Sequence, residues 1–165
     1  SLHGKPVIAC AGGGERADSV LAALRALPEG VAEDELLLVH DAARPNLRGD
    51  DIGRLIDAAT ACADGAILAA PVRDTLKRAG ESGRIAATEP REALWRALTP
   101  QAFRRDLLGR ALEAAQLAGI AVTDEAMAVE RLGLRPALVE GREDNLKVTT
   151  PADLALVEFL LARTP

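Results

Sequence analysis

Short apolar runs that alternate with 3.6-periodic stretches restrict the fold of this chain more than any other feature. Residues 6–10, "PVIAC", read as a strand and meet Gly12, Gly13 and Gly14. Residues 15–27 then place Val20, Leu21, Leu24 and Leu27 on one helical face, and Pro28 stops the helix. "ELLLVH" (35–40) reads as the next strand, residues 50–63 as a helix with Ile52, Leu55, Ile56 and Ala59 inward, and "GAILAAPV" (65–72) as another buried strand. Such a βαβαβ order predicts an α/β fold: a doubly wound, mostly parallel sheet with helices on both faces. Ligands of such sheets bind beyond the carboxyl ends of the strands.

The rhythm breaks after Val72. Polar alternation on either side of "GESG" (80–83) predicts a β-hairpin arm over about 73–94. Helical periodicity returns over 104–119 and 123–133, and "PALVEG" (136–141) is the last strand. In "TTPADLALVEFLL", Thr150 reads as an N-cap, Pro151 as the first helical residue and Asp153 as the acid of the first turn, with Leu154, Val157 and Leu161 toward the sheet. The 165 residues suit a single domain. Its first strand is one that would sit later in a doubly wound sheet, which predicts an N-terminally truncated unit.

Composition narrows the function. Twenty Lys and Arg against 25 Asp and Glu leave a net charge of -5, which gives a nucleic-acid backbone no general attraction. Three aromatic residues, Trp95, Phe103 and Phe159, offer almost no stacking platform for bases. Cys10 and Cys62 lack metal-ligand spacing and read as reduced thiols. No apolar run approaches the roughly 18 residues of a membrane span. The expectation is a cytoplasmic protein with neither nucleic-acid nor membrane partners.

The stretch "LLLVHDAARPNL" (36–47) ends a buried run on an acid and a base. Asp41 at that strand end either holds Mg²⁺ against a bound polyphosphate or caps the loop as an Asx-turn. Arg44 either pairs with a phosphate or ties the loop to an acid such as Asp50. His40 has no second histidine at ligand spacing and reads as a packing residue. The three glycines let backbone N–H groups approach an anion at a helix N-terminus, but they lack full dinucleotide or Walker spacing, so a plain turn stands beside that reading. Ser19 is either a ligand contact or a local backbone partner. Arg73, Thr75, Lys77, Arg78, Arg84 and Arg91 form a basic face along the arm, Thr99 and Lys147 each follow an extended run, and Asp124 and Glu125 read as the start of a helix. A cation such as Lys147 close to a helix N-terminus is unfavourable, which argues for a phosphate contact over a surface role.

In order along the chain, "GGGERADSV", "LVHDAARP", "ILAAPVRDTLKR", "LWRALTPQAF", "TDEA" and "VEGREDNLKVTTPADL" resemble the 2-C-methyl-D-erythritol 4-phosphate cytidylyltransferases. The resemblance runs from about Val7 to about Thr164. "HDAARP" is shared with ribitol-5-phosphate cytidylyltransferases; "APVRDT", "WRALTPQ" and "EGREDNLKVT" narrow the match. It implies a Rossmann-like sheet of the nucleotide-diphospho-sugar transferase type. The activity it implies is transfer of CMP from CTP to a polyol phosphate, methylerythritol phosphate, with release of pyrophosphate. It implies Asp41 as the Mg²⁺ ligand, nucleotide contacts at Gly13, Gly14, Ser19 and Ala42, and substrate contacts at Arg44, Thr75, Arg91, Thr99 and Lys147. Asp41, Arg91 and Lys147 carry the catalysis in this reading. Where the family often has an acid, this chain has Gly14. The family's arm reaches into a partner subunit, which implies a homodimer with a swapped β-arm. The family's opening "AAGxGxR" loop and the lysine of its "PKQ" motif have no counterpart here, so the 165-residue chain is expected to bind CTP weakly without them. A ribitol-5-phosphate enzyme and an inactive dimerising fragment are the alternatives. As a loop acid, Asp41 is expected to serve metal affinity more than the core, so Asp41→Asn should leave folding nearly unchanged.

Overall fold

Alternation along one strand organises the interior. The computed structural model describes residues 3–163. Its elements are α1 (Arg16–Arg25), β1 (Leu36–Val39), α2 (Gly49–Ala61), β2 (Ala66–Pro71), β3 (Leu76–Ala79), β4 (Ile85–Glu89), β5 (Trp95–Arg104), α3 (Arg105–Leu117), α4 (Glu125–Glu130), β6 (Ala137–Glu140) and α5 (Pro151–Leu161). Ala66, Leu68 and Ala70 of β2 point to one face and pack with Leu55 and Ala59 of α2 and with Leu98 and Ala102 of β5. Ile67 points to the other, where Phe103 meets Leu21 of α1, Leu108 and Leu112 of α3 and Val129 of α4. With side chains alternating across a strand, one apolar run serves two cores, and helices cover both faces.

The sheet order is β1-β5-β2-β6. β2 and β6 pair in parallel, whereas β5 pairs antiparallel with both β1 and β2. β1, β2 and β6 therefore run one way, as an α/β chain predicts, but β1 and β2 are not neighbours. The returning limb of the arm continues as the ten-residue β5 and inserts between them. β3 and β4 pair antiparallel as a separate two-stranded hairpin.

Three expectations need correction. Residues 6–10 form no strand, and Val7 and Ile8 are exposed; the pairing stops at an isolated bridge on Lys5, short of the ladder a strand requires. In α2, Leu55 and Ala59 are buried but Ile56 is exposed, because a single sheet face accepts only a narrow stripe. In α5, Val157 is buried while Leu154 and Leu161 are exposed. Gly65, with a φ of 86°, turns the chain into β2, and a Cβ there would lie 2.2 Å from the Phe103 ring, so the turn and the core both need glycine.

The start of α5 follows its sequence signature. Thr150 Oγ1 accepts from the Asp153 N–H at 3.3 Å, and Asp153 Oδ2 accepts from the Thr150 N–H at 2.8 Å, the Thr149 N–H at 3.0 Å and the Thr149 hydroxyl at 2.8 Å. The Thr149 and Thr150 donors hold the Asp153 carboxyl down at about 2. A depressed folded-state pKa contributes stability above the unfolded value and loses it as pH falls through the folded one. Asp153→Asn should therefore lower the melting temperature at pH 7, and its gap from wild type should close as pH falls from 3.8 toward about 2, read by circular dichroism.

Candidate active site

The carboxyl end of β1 becomes a site because β5 is irregular beside it. Ile67 of β2 pairs with Gln101, but Ala69 pairs with Ala97, so three residues of β5 bulge opposite Leu68 alone. Leu98, Thr99 and Pro100 form that bulge, with a cis peptide before the proline. Bulges re-aim side chains and accommodate a proline that a regular ladder would not. Here Thr99 turns its hydroxyl to accept the Asp41 N–H at 3.0 Å, while its carbonyl accepts from Asn145 Nδ2 at 2.8 Å.

His40 completes the loop, and it is exposed rather than packed in the core. Its Nδ1 lies 3.0 Å from the Thr99 hydroxyl and its Nε2 lies 3.0 Å from the Arg44 carbonyl. That carbonyl can only accept, so a neutral ring carries its proton on Nε2 and takes the Thr99 hydroxyl proton on Nδ1. The 41–46 loop is also laced to the segment before α5. Arg44 donates to the Asn145 carbonyl at 2.7 Å, Asn46 to the Asp144 carbonyl at 2.9 Å, and the Val148 N–H to the Ala43 carbonyl at 2.8 Å.

Around the loop three cations converge on one carboxylate. Arg16 Nε lies 3.0 Å from Asp41 Oδ1, Lys147 Nζ 3.1 Å from Oδ2 and Arg44 Nε 3.7 Å from Oδ2. Burial pushes the Asp41 carboxyl up, but the Lys147 and Arg16 contacts outweigh it and leave the group below its ordinary value. Burial, opposed by Asp41 and aided by Arg96 and Arg16, pulls the Arg44 guanidinium below its usual value. Arg44 Nε is buried without a hydrogen bond, so an oxygen arriving there would satisfy a stranded donor. Asp41→Asn should accordingly destabilise the protein by about 1–3 kcal/mol, which replaces the expectation of unchanged folding, because Asp41 is a shared counter-ion and not a free loop acid.

Two adjoining clefts meet at Asp41. One, of about 570 Å³, runs between α1 and β1 and is lined by Arg16, Ser19, Leu24, Asp41, Ala42 and Lys147 among others. The second, about 220 Å³, adds Arg44, Thr99 and Asp124. Asp41, Ala42, Arg44, Thr99, Ser19 and Lys147 are thus brought together. Gly13 and Gly14 lie just before α1, where the Gly13 N–H donates to Ser19 Oγ at 3.1 Å. A Cβ on Gly13 would sit 2.2 Å from the Asp18 Cβ, whereas one on Gly14 would meet only Asp18 Oδ2 at 3.8 Å. Thr75 and Arg91 lie apart, in a depression of about 350 Å³ on the arm that Thr88 and Glu89 also line. Arg91 donates there to the Arg73 carbonyl.

Four residues at the site carry no role in the sequence reading. Arg16 bridges Asp41 and Glu125, Gln101 ties the start of α4, and Asn46 and Asn145 lace the loops. Gln101, Asn46 and Asn145 are polar yet nearly fully buried, which no local pattern signals, and Arg16 reads locally as a first-turn arginine. Asn145→Ala removes the donor to the bulge carbonyl, so urea unfolding should show a loss of about 1–3 kcal/mol.

Comparison with known proteins agrees with this geometry. Residues 1–163 match the sequence profile of the IspD family, 2-C-methyl-D-erythritol 4-phosphate cytidylyltransferase. A protein of that name from Stenotrophomonas maltophilia is 68% identical over 160 residues, covering 97% of this chain and 69% of its own length. One from Xanthomonas campestris is 66% identical over 162 residues, covering 98% and 61%. The chain thus spans 61% to 69% of the length of these two relatives. Among solved structures, a 4-diphosphocytidyl-2C-methyl-D-erythritol synthase superposes with a TM-score of 0.81 at 50% identity, over 91% of this chain and 68% of that one. The Thermus thermophilus cytidylyltransferase superposes with a TM-score of 0.81 at 38% identity, over 93% and 72%.

Proposed function

We propose, because this chain belongs to the 2-C-methyl-D-erythritol 4-phosphate cytidylyltransferase family, that it transfers CMP from CTP to 2-C-methyl-D-erythritol 4-phosphate, in isoprenoid biosynthesis. The observation that carries this reading is the cluster of Arg16, Arg44 and Lys147 around one ionised carboxylate at a strand end. An oxygen of the polyol phosphate attacks the α-phosphorus of CTP; that P–O bond forms as the bond to the β-phosphate bridge breaks, and pyrophosphate leaves. No general base is required, since the attacking oxygen is already ionised. The difficulty is bringing anions together and aligning them, which cations and a fixed loop address.

Asp41 would hold Mg²⁺. A lone carboxylate suits this ion, which usually takes one or two protein carboxylates and completes its shell with phosphate oxygens and water. When bound, it neutralises charge on the polyphosphate. Lys147, half-exposed and attached to Asp41 by one contact, can leave that carboxylate for a phosphate. Arg44 and Thr99, which line the smaller cleft together, would contact the polyol phosphate. Ser19 and Ala42, which line the larger cleft, would contact the nucleotide together with Gly13, whose N–H donates to Ser19 Oγ, and Gly14.

We also read the protein as a cytoplasmic homodimer. Cys10 and Cys62 are free thiols, which suits a reducing compartment. Thr75 and Arg91 line a depression on the arm and not the Asp41 cleft, which suits an arm that serves a partner's site. Pyrophosphate release should follow methylerythritol phosphate, and equal turnover with ribitol 5-phosphate would refute the substrate assignment. Asp41→Asn should abolish most of that turnover together with its Mg²⁺ response. The swapped arm has its own measurement. Asp41→Ala and Arg91→Ala proteins should each be nearly inactive, yet after random subunit exchange half the dimers are hybrids with one intact site, restoring about a quarter of full activity. No recovery in well-exchanged hybrids would refute the swap.

A further inference from the structure

Glu125 is the most completely buried acid next to the cleft, and the reaction outlined above leaves it idle. Its side chain is 1% exposed, and both carboxylate oxygens face one partner: Arg16 Nη1 lies 2.5 Å from Oε1 and Nη2 3.0 Å from Oε2. A two-point contact of this kind fixes a guanidinium in position and in plane. The third edge of the same guanidinium, Nε–H, donates to Asp41 Oδ1 at 3.0 Å.

Glu125 is itself held from behind. Asp124 accepts the Met127 N–H at 2.9 Å, while Gln101, 1% exposed, donates to Asp124 at 2.9 Å and accepts the Ala126 N–H at 2.9 Å. Gln101 belongs to β5, two residues beyond Thr99, whose hydroxyl holds the Asp41 main chain. One strand thus anchors Asp41 twice, through its backbone directly and through its carboxylate by way of α4 and Arg16.

The two oxygens of Asp41 are therefore unequal. Oδ1 is tied to a guanidinium locked on a buried acid. Oδ2 is tied to Lys147, whose side chain is 44% exposed, and sits at ion-pair distance from Arg44. We propose that Arg16 is a positioning residue for the Asp41 carboxylate, clamped for that task by the buried Glu125, so that Oδ1 stays fixed and Oδ2 is the oxygen that changes partners when a cation binds. The assignment of Oδ2 rests on Asp41 as the metal ligand; the clamp itself does not.

Two measurements on the purified protein separate these parts. The first needs no metal: the ¹⁵N–¹H resonance of Arg16 Nε should exchange slowly with water in the wild type and about tenfold faster in Glu125→Gln and in Asp41→Asn, as expected for loss of one charge-assisted hydrogen bond. Unchanged protection in folded Glu125→Gln would overturn the clamp. The second uses Mn²⁺, followed by electron paramagnetic resonance, with Arg16→Lys. This variant keeps the net charge and leaves Glu125 a partner, so the fold survives, but an ammonium cannot present a fixed third donor. Its Mn²⁺ dissociation constant should rise about three- to tenfold, a loss of roughly one modest hydrogen bond. A wild-type constant in Arg16→Lys, where Asp41→Asn abolishes binding, would overturn the positioning role. Mn²⁺ binding that ignores Asp41→Asn would instead remove the metal assignment, and the Nε exchange rates would then decide the clamp alone.

Discussion

Charge neutrality around Asp41 is the constraint on which the rest of the site depends. Arg16, Arg44 and Lys147 come from α1, from the loop after β1 and from the segment before α5, and like charges so close repel unless a carboxylate lies among them. One acid therefore joins three separate parts of the chain. Its partial burial strengthens each pairing, and the same burial would leave the cations costly if the acid were lost. Catalytic use of such a cluster needs little rearrangement, since an incoming anion and cation would exchange partners already present.

The irregular β5 places that acid. A regular ladder through Leu98, Thr99 and Pro100 would point side chains alternately to the two cores; the bulge instead turns Thr99 toward the Asp41 N–H and leaves its carbonyl to Asn145. Gln101 and Phe103, beyond the bulge, resume the alternation, one tying α4 and the other filling the core. Site and interior are thus built on consecutive residues of one strand.

The α/β class, the helices and the cap at Thr150 were legible because each rests on local chemistry: apolar spacing, a proline at the first turn, an acid three residues after the cap. The position of β5 between β1 and β2 was not, since strand order depends on which edges meet and periodicity is blind to that. The supposed strand at residues 6–10 shows the same limit from the other side: apolar composition without a neighbouring ladder makes no sheet. At the site, Asp41, Arg44, Thr99 and Lys147 were visible from motifs and strand ends. Arg16 and Glu125 escaped because each has an ordinary local reading, a first-turn arginine and a helix-opening acid, and their bond spans 109 positions of the chain.

The arm has a consequence of a different kind. Residues 73–93 leave and re-enter the body at one point, where the Val72 N–H donates to the Leu94 carbonyl at 3.0 Å and Pro71 faces Trp95 in the ladder. The loop-closure entropy of the excursion is thereby offset at its base by the β2–β5 pairing, which the body needs in any case, and that entropy grows only slowly with loop length. A change in the length of the excursion therefore has little effect on the interior. The arm is thus mechanically separate from the sheet that carries it.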